Sequence, residues 1–372
     1  MPAYLDYAAS TPMRPEAIEA MAPYLRERFA NSSGAHAAAR QAGQAVDEAR
    51  DVVAAALGCR PGDVIFTGTG TEADNHAILG AVRHHGGVAV CSAVEHHAVL
   101  HPVEHVGGRV VGVDPTGQVD LDALVTALSD DVTAVSVMLA NNEVGTIEPF
   151  AEVAAVVRAH APRAVLHTDA VQAFAWLDVA SDAAAADCIS VSAHKFGGPK
   201  GVGALVVRGD VTLEPLILGG GQERDRRSGT HNVAGIVAMA AAMQATVSER
   251  ADVVARVTRQ RDRLVDGLQA ALAGVHETVP RSKKVAGSAH VCIEGVESEA
   301  LLFLLDRAGV CASAASACAS GAMEPSHVLV AMSVPKEQAA GALRLSLGFA
   351  TTDADVDEAL DVIPAAVRQL RR

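Results

Sequence analysis

Short runs rich in Val, Ile and Ala recur through the first two-thirds of this chain, each followed by a longer stretch with helical spacing. Val64–Thr67, Val88–Ser92, residues 109–113, 134–138 and 164–169, Cys188–Ser192 and residues 204–207 read as strands. Residues 72–83, 121–128 and 151–160 read as intervening helices. Parallel neighbours need long crossovers, which helices supply, so this alternation predicts an α/β fold with a mostly parallel seven-stranded sheet and helices on both faces. Aromatic residues make up only 3% of the chain while half of it is apolar, so the core must be built from small aliphatic side chains.

From about Val253 the pattern changes to a charged amphipathic helix (253–272), a strand at 289–294, a helix at Ser298–Arg307, a strand at 343–347 and a terminal helix. A length of 372 residues allows two domains. We expect a large domain over residues 14–255, and a smaller α+β domain formed by residues 1–13 and 256–372.

Net charge is −14, and no Lys/Arg run is long enough for a nucleic-acid footprint, so no direct nucleic-acid partner is expected. The apolar stretch from Val233 to Val247 stops at Ser248-Glu249-Arg250, too short for a membrane span, and reads as a buried helix. The opening residues show no basic region followed by a long apolar core, so no signal peptide is expected. Six cysteines are scattered without any CxxC pair, which indicates neither a zinc ribbon nor a disulfide framework. These features predict a cytoplasmic protein, with no membrane partner.

In open α/β sheets, ligands gather at the carboxyl ends of strands. The strand at 164–169 ends in Asp169, with Gln172 just beyond it. The strand Cys188–Ser192 runs through Ala193 and His194 into Lys195 and a glycine-rich turn, which suits an amine whose pKa is lowered for Schiff-base chemistry. An acid on the neighbouring strand can keep a cofactor's pyridine nitrogen protonated. Alone, Asp169 would read as a helix cap and Lys195 as a surface residue; as a pair at adjacent strand exits they point to a site. Phe66-Thr67-Gly68-Thr69-Gly70-Thr71-Glu72-Ala73-Asp74-Asn75 follows a strand and opens a helix, with Thr71 expected at or near the N-cap, a natural phosphate seat.

These segments resemble those of the cysteine desulfurases, in the class V aminotransferase group of fold type I pyridoxal-phosphate (PLP) enzymes. So do the opening Leu5-Asp6-Tyr7-Ala8-Ala9-Ser10-Thr11-Pro12, Asn31-Ser32-Ser33-Gly34-Ala35-His36, Glu95-His96-His97, Asn141-Asn142-Glu143-Val144-Gly145, Gly219-Gly220-Gly221-Gln222-Glu223-Arg224, Arg227-Ser228-Gly229-Thr230 and Arg344-Leu345-Ser346-Leu347-Gly348. The resemblance implies PLP carried on Lys195, which later moves the Cα proton, Asp169 paired with the pyridinium, Gln172 on the phenolic oxygen, and His96 stacked on the ring as a catalytic residue that shuttles a proton. It implies a phosphate seat of Gly70, Thr71, Ser192 and His194, completed by Thr230 of a second subunit, hence a homodimer. It gives Arg344, helped by Asn142, the substrate carboxylate. Ser32 stands where the family has proline, Gly68-Thr69 where Ser-Gly is usual, and Phe349 where many relatives have arginine.

Cys318 lies in a run of very small residues, Ala312 to Gly321, before Met323-Glu324-Pro325-Ser326-His327, which resembles the family branch with a long catalytic loop. That likeness makes Cys318 the residue that takes sulfur from L-cysteine, leaving L-alanine and a persulfide for a protein acceptor, such as an iron–sulfur scaffold or a thiolation enzyme. The other cysteines read as small core residues, with nearby Cys311 the decoy.

His97, His101 and His105 recur at helical spacing near Glu95 and Glu104, but Pro102 is expected to interrupt that helix, and no metal site is expected. The rival functions are a selenocysteine lyase or other class V PLP enzyme, and a partner-binding scaffold with an idle site. A transaminase has no need of Cys318, and an idle scaffold has no need of Lys195, Asp169, His96 and Cys318 together.

Overall fold

The computed structural model describes residues 2–314 and 326–372, so Cys318 lies outside the described residues. The strands are β1 (Ala3–Tyr4), β2 (Val64–Thr67), β3 (Val88–Ser92), β4 (Arg109–Val111), β5 (Val132–Ser136) and β6 (Val165–Asp169). They continue with β7 (Cys188–Ser192), β8 (Gly203–Val207), β9 (Val275–Glu277), β10 (Ser288–Ile293), β11 (Val310–Cys311) and β12 (Ala342–Ser346).

Seven strands form the central sheet in the order β2-β8-β7-β6-β5-β3-β4. β8 runs antiparallel to both its neighbours, and the remaining pairs are parallel. The sheet is therefore the mostly parallel seven-stranded one that the alternation predicts. The residues of β6, β7 and β8 are buried throughout, as strands covered on both faces require. β5 lies two residues earlier than the apolar pattern suggests. Val137 and Leu139 beyond it still donate to carbonyl oxygens of His167 and Asp169, so the run leaves regular pairing without leaving the core.

A second core lies under an antiparallel sheet in the order β12-β10-β9. Ala3 and Leu5 from the start of the chain pack there with Val291, Leu345, Val356 and Ile363. β1 pairs in parallel with β11, and Asp6 bridges to Ser346, so the opening segment is woven into the C-terminal third.

One helix, Val233–Ala271, spans 39 residues where the sequence pattern suggests two separate helices. Its first half, including Ile236, Met239 and Met243, packs in the core of the large sheet; Val257, Leu264 and Leu268 pack in the second core. The polar break at Ser248-Glu249-Arg250 does not end it, because those side chains find partners across the helix. Glu249 accepts from Arg14 at 2.7 Å, and the Arg250 guanidinium lies 5.4 Å from the centre of the Phe174 ring. Asn232 caps its start by accepting from the Gly235 N–H at 3.0 Å. Among the described residues no helix is long and apolar enough to cross a membrane.

Candidate active site

The carboxyl ends of β6 and β7 open on a cavity of about 240 Å³. Gly70, Thr71, His96, Asn142, Asp169, Gln172, Ser192, His194 and Lys195 all line it, together with Thr69, Asp74, Met138 and Val171. Nine of the residues singled out from sequence thus meet in one place. A smaller cavity adjoins it; Asn142, Gln172 and Lys195 line both, and Arg344 lines the second.

Lys195 ends a single 3₁₀ turn, Ala193–Lys195, directly after β7. Gly197 follows with φ +91°, and a Cβ there would lie 2.4 Å from Arg14 Cγ, so only glycine lets the chain turn this tightly. Lys195 Nζ donates to the carbonyl oxygens of Ala8 and Ala9, and Gln172 Nε2 donates to Ala8 at 2.7 Å. Burial, followed by the positive charge of Arg344, lowers the lysine's pKa to about 8; Asp169 and Asp6 act in the opposite direction.

Asp169 is buried at the end of β6, and its Oδ1 accepts from the Val171 N–H at 2.8 Å. Desolvation raises its pKa to about 6, offset partly by that hydrogen bond and by Lys195. Behind it lies a polar layer: His167 bridges the hydroxyls of Ser136 and Ser190, each at 2.8 Å, while Asp74 Oδ1 stands 3.6 Å from His167 Nε2. Burial holds His167 neutral, its pKa pushed down to about 3. Burial, reinforced by the neighbouring Asp169, pushes Asp74 well above the usual carboxylate range.

The helix Gly70–His85 points its N-terminus at the same cavity. Its N-cap is Thr69, not Thr71: the Thr69 hydroxyl accepts from Glu72 N–H at 3.0 Å. The cap falls two residues early because Gly70 already has helical geometry. A Cβ on Gly70 would lie 2.9 Å from Val171 Cγ2 and 3.1 Å from Ser192 Cβ, so no side chain fits there. The N–H groups of Gly70 and Thr71 find no acceptor among the described residues. Ser192 and His194, hydrogen-bonded to each other at 2.9 Å, complete that end of the cavity.

His96 caps the helix His97–His105, its Nδ1 accepting from the Ala98 N–H at 3.1 Å. A neutral ring accepting at Nδ1 carries its proton on Nε2. Protein packed around the ring, then Lys195 and the neighbouring histidines, lowers its pKa to about 4, so it is neutral near pH 7. Pro102 sits inside this helix rather than interrupting it; the Ala98 carbonyl oxygen that it leaves without an N–H partner accepts from Asn75 Nδ2 at 3.0 Å. The rings of His97 and His101 lie 4.8 Å apart, centre to centre.

Arg344, on β12, is nearly buried; it donates to Asn142 O at 3.1 Å and to Asp6 at 2.8 Å. Its Nε is buried and has no partner among the described residues. Phe349 lies 4.1 Å below the Arg14 guanidinium and edge-on to Tyr7, on the wall of the second cavity. Thr230 is exposed and does not line the large cavity within one chain. Sequence reasoning passed over Ala8, Asp74, Glu143 and the Glu72–Arg227 pair (2.7 Å) that ties the 219–230 segment to the cradle. Only Asp74 carried a local signal, one helical turn beyond Gly70.

A PLP molecule fits these residues: a helix N-terminus with the Gly70 and Thr71 N–H groups free and no room for a side chain at Gly70, a buried carboxyl on the next strand and an amine of lowered basicity face one cavity. Comparison with known proteins agrees with this geometry. Residues 3–359 match the family model described as aminotransferase class-V. An IscS-like cysteine desulfurase of Mycobacterium tuberculosis is 47% identical, the match covering 100% of this chain and 97% of the relative.

The chain belongs to the cysteine desulfurases of the class V aminotransferase family.

A second member, cysteine desulfurase IscS of Dictyoglomus turgidum, is 42% identical over 99% of this chain and 95% of its own. Among solved structures, a NifS-like protein superposes with a TM-score of 0.93 at 34% identity, covering 99% of this chain and 100% of that one. SspA in complex with cysteine superposes with a TM-score of 0.81 at 30% identity, covering 92% and 98%. The fold is accordingly PLP fold type I, and PLP is the family's cofactor.

Proposed function

We propose that this chain is a PLP-dependent L-cysteine desulfurase that passes sulfur from free cysteine to Cys318. The observation that carries the reading is the convergence of Lys195 and Asp169 from adjacent strand ends on one cavity, with Arg344 at its neighbour. Cysteine desulfurase relatives that align along nearly the whole chain support it.

When bound, PLP supplies an aldehyde for covalent capture of amines and a ring that draws electrons from the substrate's Cα. Lys195 Nζ would hold the cofactor and serve as the base that carries the substrate's Cα proton. Asp169 would keep the ring nitrogen protonated, Gln172 would donate to the phenolic oxygen, and His96 would cover the ring with Nε2–H available as a donor. Gly70, Thr71, Ser192 and His194 would hold the phosphate. Arg344, placed by Asn142 and Asp6, binds the substrate carboxylate. The Cys318 thiol attacks the substrate sulfur; the carbon–sulfur bond breaks, Cβ gains a proton, and alanine leaves with the extra sulfur retained on Cys318.

We read residues 14–255 as the large domain and residues 1–13 with 256–372 as the small one; the packing of Ala3 and Leu5 with Val257, Val291 and Leu345 supports this division, while Val285 packs in the core of the large sheet. A homodimer would bring Thr230 of one subunit to the phosphate of the other. Ile217 and Leu218, apolar and exposed just before that segment, favour such a partner. The acceptor would be a protein, an iron–sulfur scaffold or a thiolation enzyme, met in the cytoplasm. Purified protein given L-cysteine and a thiol reductant should release alanine and sulfide in equal amounts; a bound cofactor with neither product would overturn the reading.

A further inference from the structure

Cys318 stands five residues after Ser313 and eight before Ser326 in the sequence. Both of those residues are held, and by neighbouring parts of one site. Ser313 pairs with the backbone of Arg344 in both directions, at 2.7 and 3.2 Å. Ser326 is buried, and its hydroxyl donates to Glu143 Oε2 while accepting from the N–H groups of Val328 and Leu329 as a helix cap. Glu143 follows Asn142, whose carbonyl oxygen receives Arg344 Nη1. It is buried as well, and its own N–H donates to Asn141 Oδ1 at 2.8 Å. Asn141 in turn donates to Val94 O at 2.9 Å, so the acceptor for Ser326 sits on a fixed loop.

An extended chain covers at most about 3.5 Å per residue, so the thiol's range is set by where these two ends are fixed. We propose that Glu143 is a positioning residue for sulfur transfer, holding Ser326 so that the segment bearing Cys318 starts and ends beside the Arg344 carboxylate seat. This rests on the reading of Cys318 as the sulfur-accepting residue. Glu143 lines the second cavity beside Arg344 but not the large one, and its carboxyl is buried with Ser326 as its hydrogen-bond partner. Burial raises its pKa, while Ser326, His327 and Arg344 draw it back.

The test uses the cofactor-loaded enzyme in single turnovers, with persulfide on Cys318 counted by mass and cysteine binding followed by the change in cofactor absorbance. Glu143→Ala should slow persulfide formation about ten-fold with the absorbance change and KM unaltered, since the one buried hydrogen bond lost lies outside the large cavity. Glu143→Gln, which keeps an acceptor oxygen, should restore most of the rate. Ser326→Ala breaks the same bond from the other side and carries the test if Glu143→Ala fails to fold. The double variant should be no slower than either single one. Wild-type persulfide rates in both single variants, additive losses, or equal losses of cysteine binding and persulfide would overturn the proposal. Wild-type enzyme that forms no persulfide on Cys318 would instead sink the underlying reading.

Discussion

Lys195 Nζ lies 2.5 Å from the carbonyl oxygen of Ala8, a residue 187 positions earlier in the chain. The amine proposed to hold the cofactor is therefore kept in place by the opening segment, which is itself paired with β11 and β12. Lys195→Ala should abolish covalent cofactor capture, seen as loss of the borohydride-stable adduct by mass. Because the amine's pKa is lowered to about 8, its neutral, nucleophilic fraction grows as pH rises through 8. The rate at which cofactor-free protein captures PLP should rise across that range, with a midpoint near 8; a midpoint near 10.5 would show an ordinary lysine.

Cys318→Ala should leave the cofactor band intact and lower sulfide release by about 100-fold or more, since it removes the proposed nucleophile and leaves the binding groups. Turnover at the wild-type rate would assign the sulfur to another thiol, with Cys311 first to be tried.

Asp74 and Asp169 share one fully buried region, yet they should respond differently. Asp169→Asn removes the carboxyl proposed to pair with the ring nitrogen and should lower turnover by about 100-fold. Asp74 has an oxygen without a partner, and burial holds it as the neutral acid. A carboxyl whose pKa is raised on folding destabilises the fold as pH rises above its unfolded value. Asp74→Asn should accordingly cost no stability at pH 7 and leave Tm equal or higher; a drop of several degrees would mean that the ionised form is needed.

The opposite sign holds at Glu223. Its carboxylate takes two bonds from Arg50 at 2.7 and 2.8 Å, one from Phe66 N–H at 3.0 Å, and lies 2.7 Å from His231 Nε2. These bonds hold its pKa at about 2 despite burial. The stability it contributes is present above the unfolded value and is lost as pH falls from about 4.5 toward 2, an amount of about 3 kcal/mol. Glu223→Ala should cost about 3–5 kcal/mol at pH 7, since it strands the buried Arg50, and urea titration should flatten between pH 5 and 2.5.

Much of the site was legible because its chemistry sits on local patterns. β7 ends in Ser192-Ala193-His194-Lys195, so a strand signal and a functional motif overlap in one stretch of chain. The Gly68–Asn75 run likewise announces a strand, a turn and a helix together, although only the structure shows that Thr69 takes the cap. Ala8 was not legible as a lysine partner, because backbone oxygens carry no signature and the pairing spans the chain. Glu143 was hidden for the same reason: its use depends on Ser326, 183 residues away. The helix Val233–Ala271 was divided in two because polar residues at 248–250 mimic a stop, and their partners Arg14 and Phe174 come from distant segments.

That helix runs about 58 Å without a break, with one end in each apolar core. A rod shared by the two cores couples them, so any hinge between them would have to bend or unwind it. Heat or urea should also find no half-melted form, with one core standing and the other lost, because the rod would have to unwind in its middle for either to go alone.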